Sequence, residues 1–142
     1  MRNRRYANDT KVPASQSRNE IEALLKRYGA DQTLFGTMTG AALIGFRIKG
    51  LQIKIKLRLP TTDDAKAQRE ARRLWRALVL VLKAKLEAVA SGIAVLEDEF
   101  MAYTVMPDGT TLGDWARPQI ASMYKSGKMP DSILSLPPPR ED

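Results

Sequence analysis

Three cations alternate with apolar residues in the segment 52–58, whose sequence is QIKIKLR. Lys54, Lys56 and Arg58 are two residues apart, so on a β-strand they share one face at intervals of about 6.6 Å. Ammonium and guanidinium groups at that interval can bind successive phosphates of a polyanion. Such contacts recognise the backbone of a nucleic acid and do not depend on its base sequence.

These cations are held by a hairpin predicted at 41–59 around Lys49-Gly50. Glycine can take the positive φ that a tight two-residue turn requires. Pairing Ile48 with Leu51 places the apolar residues of both strands on one face, and a register shifted by one residue would lose this arrangement. The further predicted pairs are Phe46 with Ile53, Ile44 with Ile55 and Ala42 with Leu57. The opposite face then carries Arg47, Gln52, Lys54, Lys56 and Arg58, with Gly45 opposite Lys54.

Two more basic segments precede and follow the hairpin. Residues 1–14 have no apolar period and are expected to form a flexible basic arm, in which Arg4 and Arg5 contact phosphates and Tyr6 stacks on a base. The long helix predicted after Pro60 begins with cations three or four residues apart, which form a ridge. The ridge consists of Lys66, Arg69, Arg72, Arg73 and Arg76. Lys and Arg on exposed faces also serve solubility alone, and this interpretation stays open.

The composition excludes several kinds of catalytic site. The 142 residues include no Cys and no His, which removes disulfides, zinc fingers and thiolate or imidazole chemistry. The glycines at 36, 40 and 45 match no nucleotide-binding loop. Asp63 and Asp64 suit the start of a helix better than a catalytic pair. The acids at 97–99 cannot converge on one ion, because consecutive helical residues point in different directions. We predict a protein without catalytic activity, metal or cofactor.

Charge is distributed unevenly along the chain, whose net charge is +7. Residues 1–60 hold 12 Lys or Arg and 4 Asp or Glu, whereas residues 86–142 hold 4 and 9. The basic half predicts a polyanionic partner, and the acidic half is a candidate surface for a protein partner. We expect no membrane partner and a cytoplasmic location, because no segment is apolar enough to span a membrane and no apolar stretch follows the basic N-terminus.

The predicted elements follow the order α-β-β-β-α-α-α. Ser17-Arg18-Asn19-Glu20 resembles a capping box at the start of the first helix. The elements are a helix at 17–28, a strand at 32–39, the hairpin at 41–59, a helix from 64 to about 90, a short helix over 93–100, a small hairpin at 103–112 and a last helix at 113–126. This order predicts an α+β domain at 15–129, with helices on one face of a three-stranded antiparallel sheet, followed by a Pro-rich extended tail at 130–142.

Apolar residues at helical spacing indicate which sides of the helices are buried. In the long helix Trp75, Leu78 and Leu82 belong to the core stripe, so we assign Trp75 to the core rather than to base stacking. Val79, Leu80 and Val81 make the middle of this helix apolar on nearly all sides, which predicts a central position. In the last helix the residues predicted to face inward are Trp115, Ile120, Met123 and Tyr124.

Three stretches resemble a family of small proteins of tailed phages and prophages. They are residues 4–10 (RRYANDT), 27–32 (RYGADQ), and 107–110 (PDGT) together with Trp115 and 118–120 (PQI). The resemblance implies a phage setting, and hence the cytoplasm of a bacterial host, and it carries no activity or site residue. The order of one helix, three strands and one helix is also similar to that of double-stranded RNA-binding domains, although here Asp63-Asp64 precede the basic cluster of the second helix. The three strands and following helix resemble the core of phage single-strand annealing proteins in order alone.

Together these features predict a non-enzymatic, sequence-nonspecific nucleic-acid-binding protein of phage replication or recombination. It should contact phosphates and prefer DNA to RNA and single strands to duplex, because a shallow sheet suits an extended chain. The alternative is a phage protein-interaction module that binds and inhibits a host enzyme or defence complex through the acidic surface around residues 97–99. A nucleic-acid mimic would be acidic overall, so the net charge of +7 favours the first hypothesis. The oligomeric state stays open.

Overall fold

Alternating apolar residues build one antiparallel sheet. The computed structural model describes the backbone of residues 2–129 and the side chains of residues 14–129. Three strands lie in the order β1-β2-β3. Their bounds are β1 (Ala30–Met38), β2 (Ala41–Ile48) and β3 (Leu51–Arg58).

The register of β2 and β3 is the predicted one. Ile48 pairs with Leu51, and Gly45 lies opposite Lys54, with the intervening pairs in the predicted positions. Lys49 and Gly50 both have positive φ, of 50° and 78°, as the tight turn requires. The hairpin prediction is therefore confirmed residue by residue.

The first strand begins two residues earlier than predicted and pairs along β2. Its register shifts between Ala30 and Gln32, and not at Gly36, where the sequence had suggested a bulge. Gly36 sits in the regular ladder opposite Leu43. The chain then turns back through Gly40, whose φ is 80°.

Four helices and one turn of 3₁₀ helix complete the described part of the chain. They are α1 (Arg2–Arg27), α2 (Ala65–Ala90), α3 (Leu96–Glu99), the 3₁₀ turn (Met101–Tyr103) and α4 (Leu112–Ser126). The order α-β-β-β-α-α-α and the α+β class are confirmed.

Helices α1 and α2 cover the apolar face of the sheet. Leu25 of α1 and Leu82 of α2 are fully buried in one cluster with Ile44 of β2. Trp75 is buried in the same cluster, as expected for a core residue. Phe100 closes the cluster, with its ring edge-on to Phe46 at a centroid distance of 5.7 Å.

The predicted start of the first helix at Ser17 is wrong. The helix extends back to Arg2, and Ser17 is buried on its inner side. The carboxylate of Glu20 does not cap this helix, because it accepts a hydrogen bond from Arg76 of α2 at 2.8 Å. In this S-x-x-E sequence, which lies inside the helix, Ser17 is therefore a packing residue and Glu20 forms an ion pair with the neighbouring helix. The predicted arm at 1–14 is helical in its backbone from Arg2 onward.

Helix α2 begins and ends where predicted, but its middle is not central. The carboxylate of Asp64 caps it by accepting a hydrogen bond from the amide of Ala67 at 2.8 Å. Val79 is buried, whereas Leu80 and Val81 are exposed. The helix packs against α1 and the sheet on one side only, so its outward side stays in solvent.

The C-terminal helices are less buried than their apolar residues suggest. α3 is only four residues long, and Ile93 and Val95 before it are exposed. In α4, Ile120 and Tyr124 are also exposed, so their predicted inward positions are wrong. The reason is that α4 contacts mainly the 3₁₀ turn and does not lie across the core.

The predicted small hairpin is shorter than expected and consists of a single bridge, between Val105 and Thr111. Tyr103 ends the 3₁₀ turn and Leu112 begins α4. Thr104 forms an isolated bridge to Ile53 of β3. Thr111 and Asp114 form a capping box at the start of α4. The predicted tail at 130–142 lies outside the described residues. No helix in residues 2–129 is both long and apolar enough to cross a membrane.

Replacing Phe100 by Ala should lower the free energy of unfolding by about 3–5 kcal/mol, because it empties a buried aromatic site beside Phe46. Ile93→Ala is the matched control. Ile93 is 83% exposed, so its loss should change the free energy by less than about 0.5 kcal/mol. Urea denaturation monitored by circular dichroism measures both, and equal effects would contradict the described core.

Candidate nucleic-acid interface

The sheet has a face turned away from α1 and α2, here called the outer face. On β2 and β3 it carries Arg47, Gln52, Lys54, Lys56 and Arg58, all on the face predicted for them. Lys56 and Arg58 are exposed, and Lys54 and Arg47 are half-buried. Backbone pairing holds their spacing, because each β3 residue is fixed opposite a β2 residue.

Arg47 is neutralised by a carboxylate of the same face. Its Nε and Nη2 atoms donate to Asp31 at 2.9 and 2.7 Å, in a bidentate pair. The hydrogen bond from Arg47 holds the pKa of the exposed Asp31 carboxyl below its ordinary value of 3.8. Asp31 is therefore ionised at neutral pH, and Arg47 offers little free charge to a phosphate.

Lys54 ties the 107–110 turn to the sheet. Its ammonium donates to the carbonyl oxygen of Gly109 at 2.6 Å. Asp108, in the same turn, has its pKa lowered by hydrogen bonds from Thr110 and, to a smaller extent, by the nearby charge of Lys54. The Asp108 carboxylate therefore offsets part of the field of Lys54.

A groove of about 390 Å³ lies between the outer face and the C-terminal part of the chain, here called the cationic groove. It is lined by Met38, Leu43, Lys54, Lys56, Arg58, Ala102, Tyr103, Thr111, Asp114 and Arg117. Among the described residues, neither Lys56 nor Arg58 forms an ion pair.

Arg117 is a groove residue that the sequence analysis missed. It lies one turn into α4, where its Nη1 contacts Asp114 at 3.4 Å. Asp114 accepts hydrogen bonds from Thr111, which hold its pKa below the ordinary value. No local pattern marks Arg117, because only the path of the 104–112 hairpin brings α4 beside β3.

The cations of α2, here called the α2 ridge, lie on the other side of the molecule. The buried residues of α2 face α1 and the sheet, so Lys66, Arg69 and Arg73 point away from both. The structure therefore does not join the ridge and the outer face into one surface.

Two of the ridge cations are neutralised. Arg73 forms a bidentate pair with Glu70, with distances of 3.0 and 2.6 Å, and it lowers the pKa of that exposed carboxyl. Arg76 binds Glu20 at 2.8 Å. Within the part of the chain that the structure describes, Lys66, Arg69 and Arg72 make no ion pair.

The remaining predicted contact residues lie in the N-terminal segment and in the acidic segment 97–99. The side chains of Arg4, Arg5 and Tyr6 lie outside the described residues. In the acidic segment 97–99, Glu97 and Asp98 are exposed, whereas Glu99 pairs with Lys85 at 3.3 Å. Residues 14–129 contain no group of three Asp or Glu side chains placed to hold a metal ion.

Comparisons with protein-family models, with curated proteins and with solved structures find no match to this chain.

The Asp31–Arg47 pair makes a pH-dependent contribution to stability with a defined sign. The pKa of Asp31 is lowered in the folded state, so the contribution is complete above the ordinary value of 3.8 and is lost as the pH falls through the folded-state value. Arg47→Gln removes the hydrogen bonds from the guanidinium and should raise the pKa of Asp31 toward its ordinary value of 3.8. A titration of the Asp31 carboxyl carbon by ¹³C NMR measures this pKa. Asp114, which is bonded to Thr111, is the internal control and should not move. An unchanged Asp31 midpoint would contradict the described pair.

Proposed function

We propose that this protein is a non-enzymatic, sequence-nonspecific nucleic-acid-binding protein that contacts phosphates through its cationic groove. The observation that carries the proposal is the convergence of Lys54, Lys56, Arg58 and Arg117 on one groove. Among the described residues that line the groove, the one carboxylate is that of Asp114, which accepts hydrogen bonds from the Thr111 amide and from Arg117, both at 3.4 Å. The net charge at its wall is therefore positive.

The geometry supports backbone binding more than base reading. Lys56 and Arg58 are exposed, free of ion pairs within the described residues, and about 6.6 Å apart along β3. Contacts of this kind release counterions, so affinity should fall steeply with salt. Single-stranded DNA is the ligand we favour, in a phage replication or recombination setting, because the shallow outer face suits an extended chain.

A double reversal of charge, Lys56→Glu with Arg58→Glu, tests the groove. Lys54 is left intact because it also holds the 107–110 turn. Fluorescence anisotropy with labelled single-stranded DNA, at about 50 and 200 mM salt, should show at least a tenfold weaker affinity. The slope of log affinity against log salt should become shallower by about 1.4, since each phosphate contact on a single strand contributes about 0.7.

The matched control is Lys125→Glu with Lys128→Glu, two exposed cations at the far end of α4 that change the net charge by the same amount. This control should retain most of the binding. The pair Lys66→Glu and Arg69→Glu examines the α2 ridge, and a greater loss there would move the interface to that side. No binding by the wild-type protein at low salt would overturn the proposal.

A second candidate, a protein-interaction module directed at a host enzyme or defence complex, is favoured by α4. No residue of α4 is buried, and Tyr124 is 87% exposed. Ile120, Met123 and Tyr124 border an apolar hollow of about 520 Å³. Exposed apolar surface of this kind is typical of protein contacts, whereas the acidic residues 97–99 are partly engaged by Lys85.

A further inference from the structure

On the outer face, the types of residue follow a pattern across the strands as well as along them. Each β1 residue lies beside one β2 residue, which in turn lies beside one β3 residue. Three such rows run Leu34–Gly45–Lys54, Gly36–Leu43–Lys56 and Met38–Ala41–Arg58. Each of these three rows begins with an uncharged residue on β1 and ends with a cation on β3, about 10 Å away across two strand spacings. The fourth row, Gln32–Arg47–Gln52, has its cation on β2.

Beyond Gln32, the β1 side of this face carries Leu34, Gly36 and Met38 and has no charge. Leu34 is 73% exposed and Met38 is 51% exposed, although both project from a regular strand. Asp31, the one charged residue of β1, lies near the start of that strand and is neutralised by Arg47 of β2. A polyanion that approaches the outer face therefore meets a cationic margin at β3 and an apolar margin at β1.

Two hollows connect these margins. One is the cationic groove, in which Met38 and Leu43 lie beside Lys56 and Arg58. The other, of about 480 Å³, contains Leu34, Gly45 and Lys54. Lys54 borders both hollows, so they adjoin each other along β3.

Gly45 keeps the second hollow open without being required by the packing. A Cβ atom at this position would meet Leu34 Cβ at 3.7 Å, which is ordinary van der Waals contact. The sheet would therefore accept a side chain here. Its absence leaves space above the backbone between the apolar residue of β1 and the cation of β3.

We propose, on the basis of the function proposed above, that the outer face binds a single strand with its phosphates along β3 and its unpaired bases against Leu34, Met38 and Leu43. The ring face of a base is largely apolar and gains by leaving water when it covers aliphatic side chains. In a duplex the ring faces are stacked on each other and only the edges are accessible. The apolar margin thus discriminates single strands from duplexes, while the cations bind both.

The experiment compares three labelled probes of equal length: a 12-nucleotide oligothymidylate, an abasic 12-mer with the same phosphates, and a 12-base-pair duplex. At about 50 mM salt the wild-type protein should bind oligothymidylate about fivefold more tightly than the abasic strand, a gain that corresponds to the burial of about 40 Å² of apolar surface. The double variant Leu34→Ser with Met38→Ser should lose this preference, because both side chains are exposed and their loss leaves the core intact. Its salt slope on oligothymidylate should equal that of the wild type.

The matched control is Ile93→Ser with Val95→Ser, which removes two exposed apolar side chains from the segment before α3. It should keep the preference for bases. Equal binding of oligothymidylate and the abasic strand by the wild-type protein would overturn this inference and leave phosphate binding standing. A preference that survives in the Leu34→Ser, Met38→Ser variant would also overturn it. Binding to none of the probes would overturn the proposed function itself.

Discussion

The pairing of Ile48 with Leu51 across the Lys49-Gly50 turn is the constraint on which the rest of the structure depends. Side chains alternate between the two faces of a strand. This one pairing therefore decides which side chains α1 and α2 cover and which side chains face solvent. Lys49 takes a positive φ to allow it, although that backbone conformation is costly for a residue with a side chain. The core and the charged surface are thus the two faces of the same two eight-residue strands, and neither can change register without the other.

Pairing within the molecule divides its cations into two groups. Arg47, Arg73 and Arg76 are held by carboxylates, and exposed pairs of this kind add little to stability. The Arg47 pair leaves the field of the outer face to Lys54, Lys56 and Arg58, and the other two pairs reduce the charge of the α2 ridge. Counting basic residues therefore overstates the charge available to a ligand, because a bidentate guanidinium is already satisfied.

The features that sequence reasoning predicted are those set by local patterns. The hairpin register follows from alternation and a glycine turn, and α2 follows from Asp64 and a regular apolar stripe. Features that depend on the path of the chain were missed. Arg117 reaches the groove only because a hairpin at β3 directs α4 there, and Tyr124 is exposed because α4 does not cross the core. The false helix start at Ser17 arose because a capping sequence and an interhelical ion pair use the same residue types.

The α2 ridge and the outer face lie on different layers of the molecule, because α2 packs against the apolar face of the sheet and the outer face is turned away from it. On the function proposed above, a polyanion held on the outer face would leave Lys66 and Arg69 of the ridge uncovered. A second segment of the same long chain would then bind the ridge, and its binding would gain from the high effective concentration that the first segment creates. Long polyanions would be gathered and crosslinked, whereas short ones would bind each side independently.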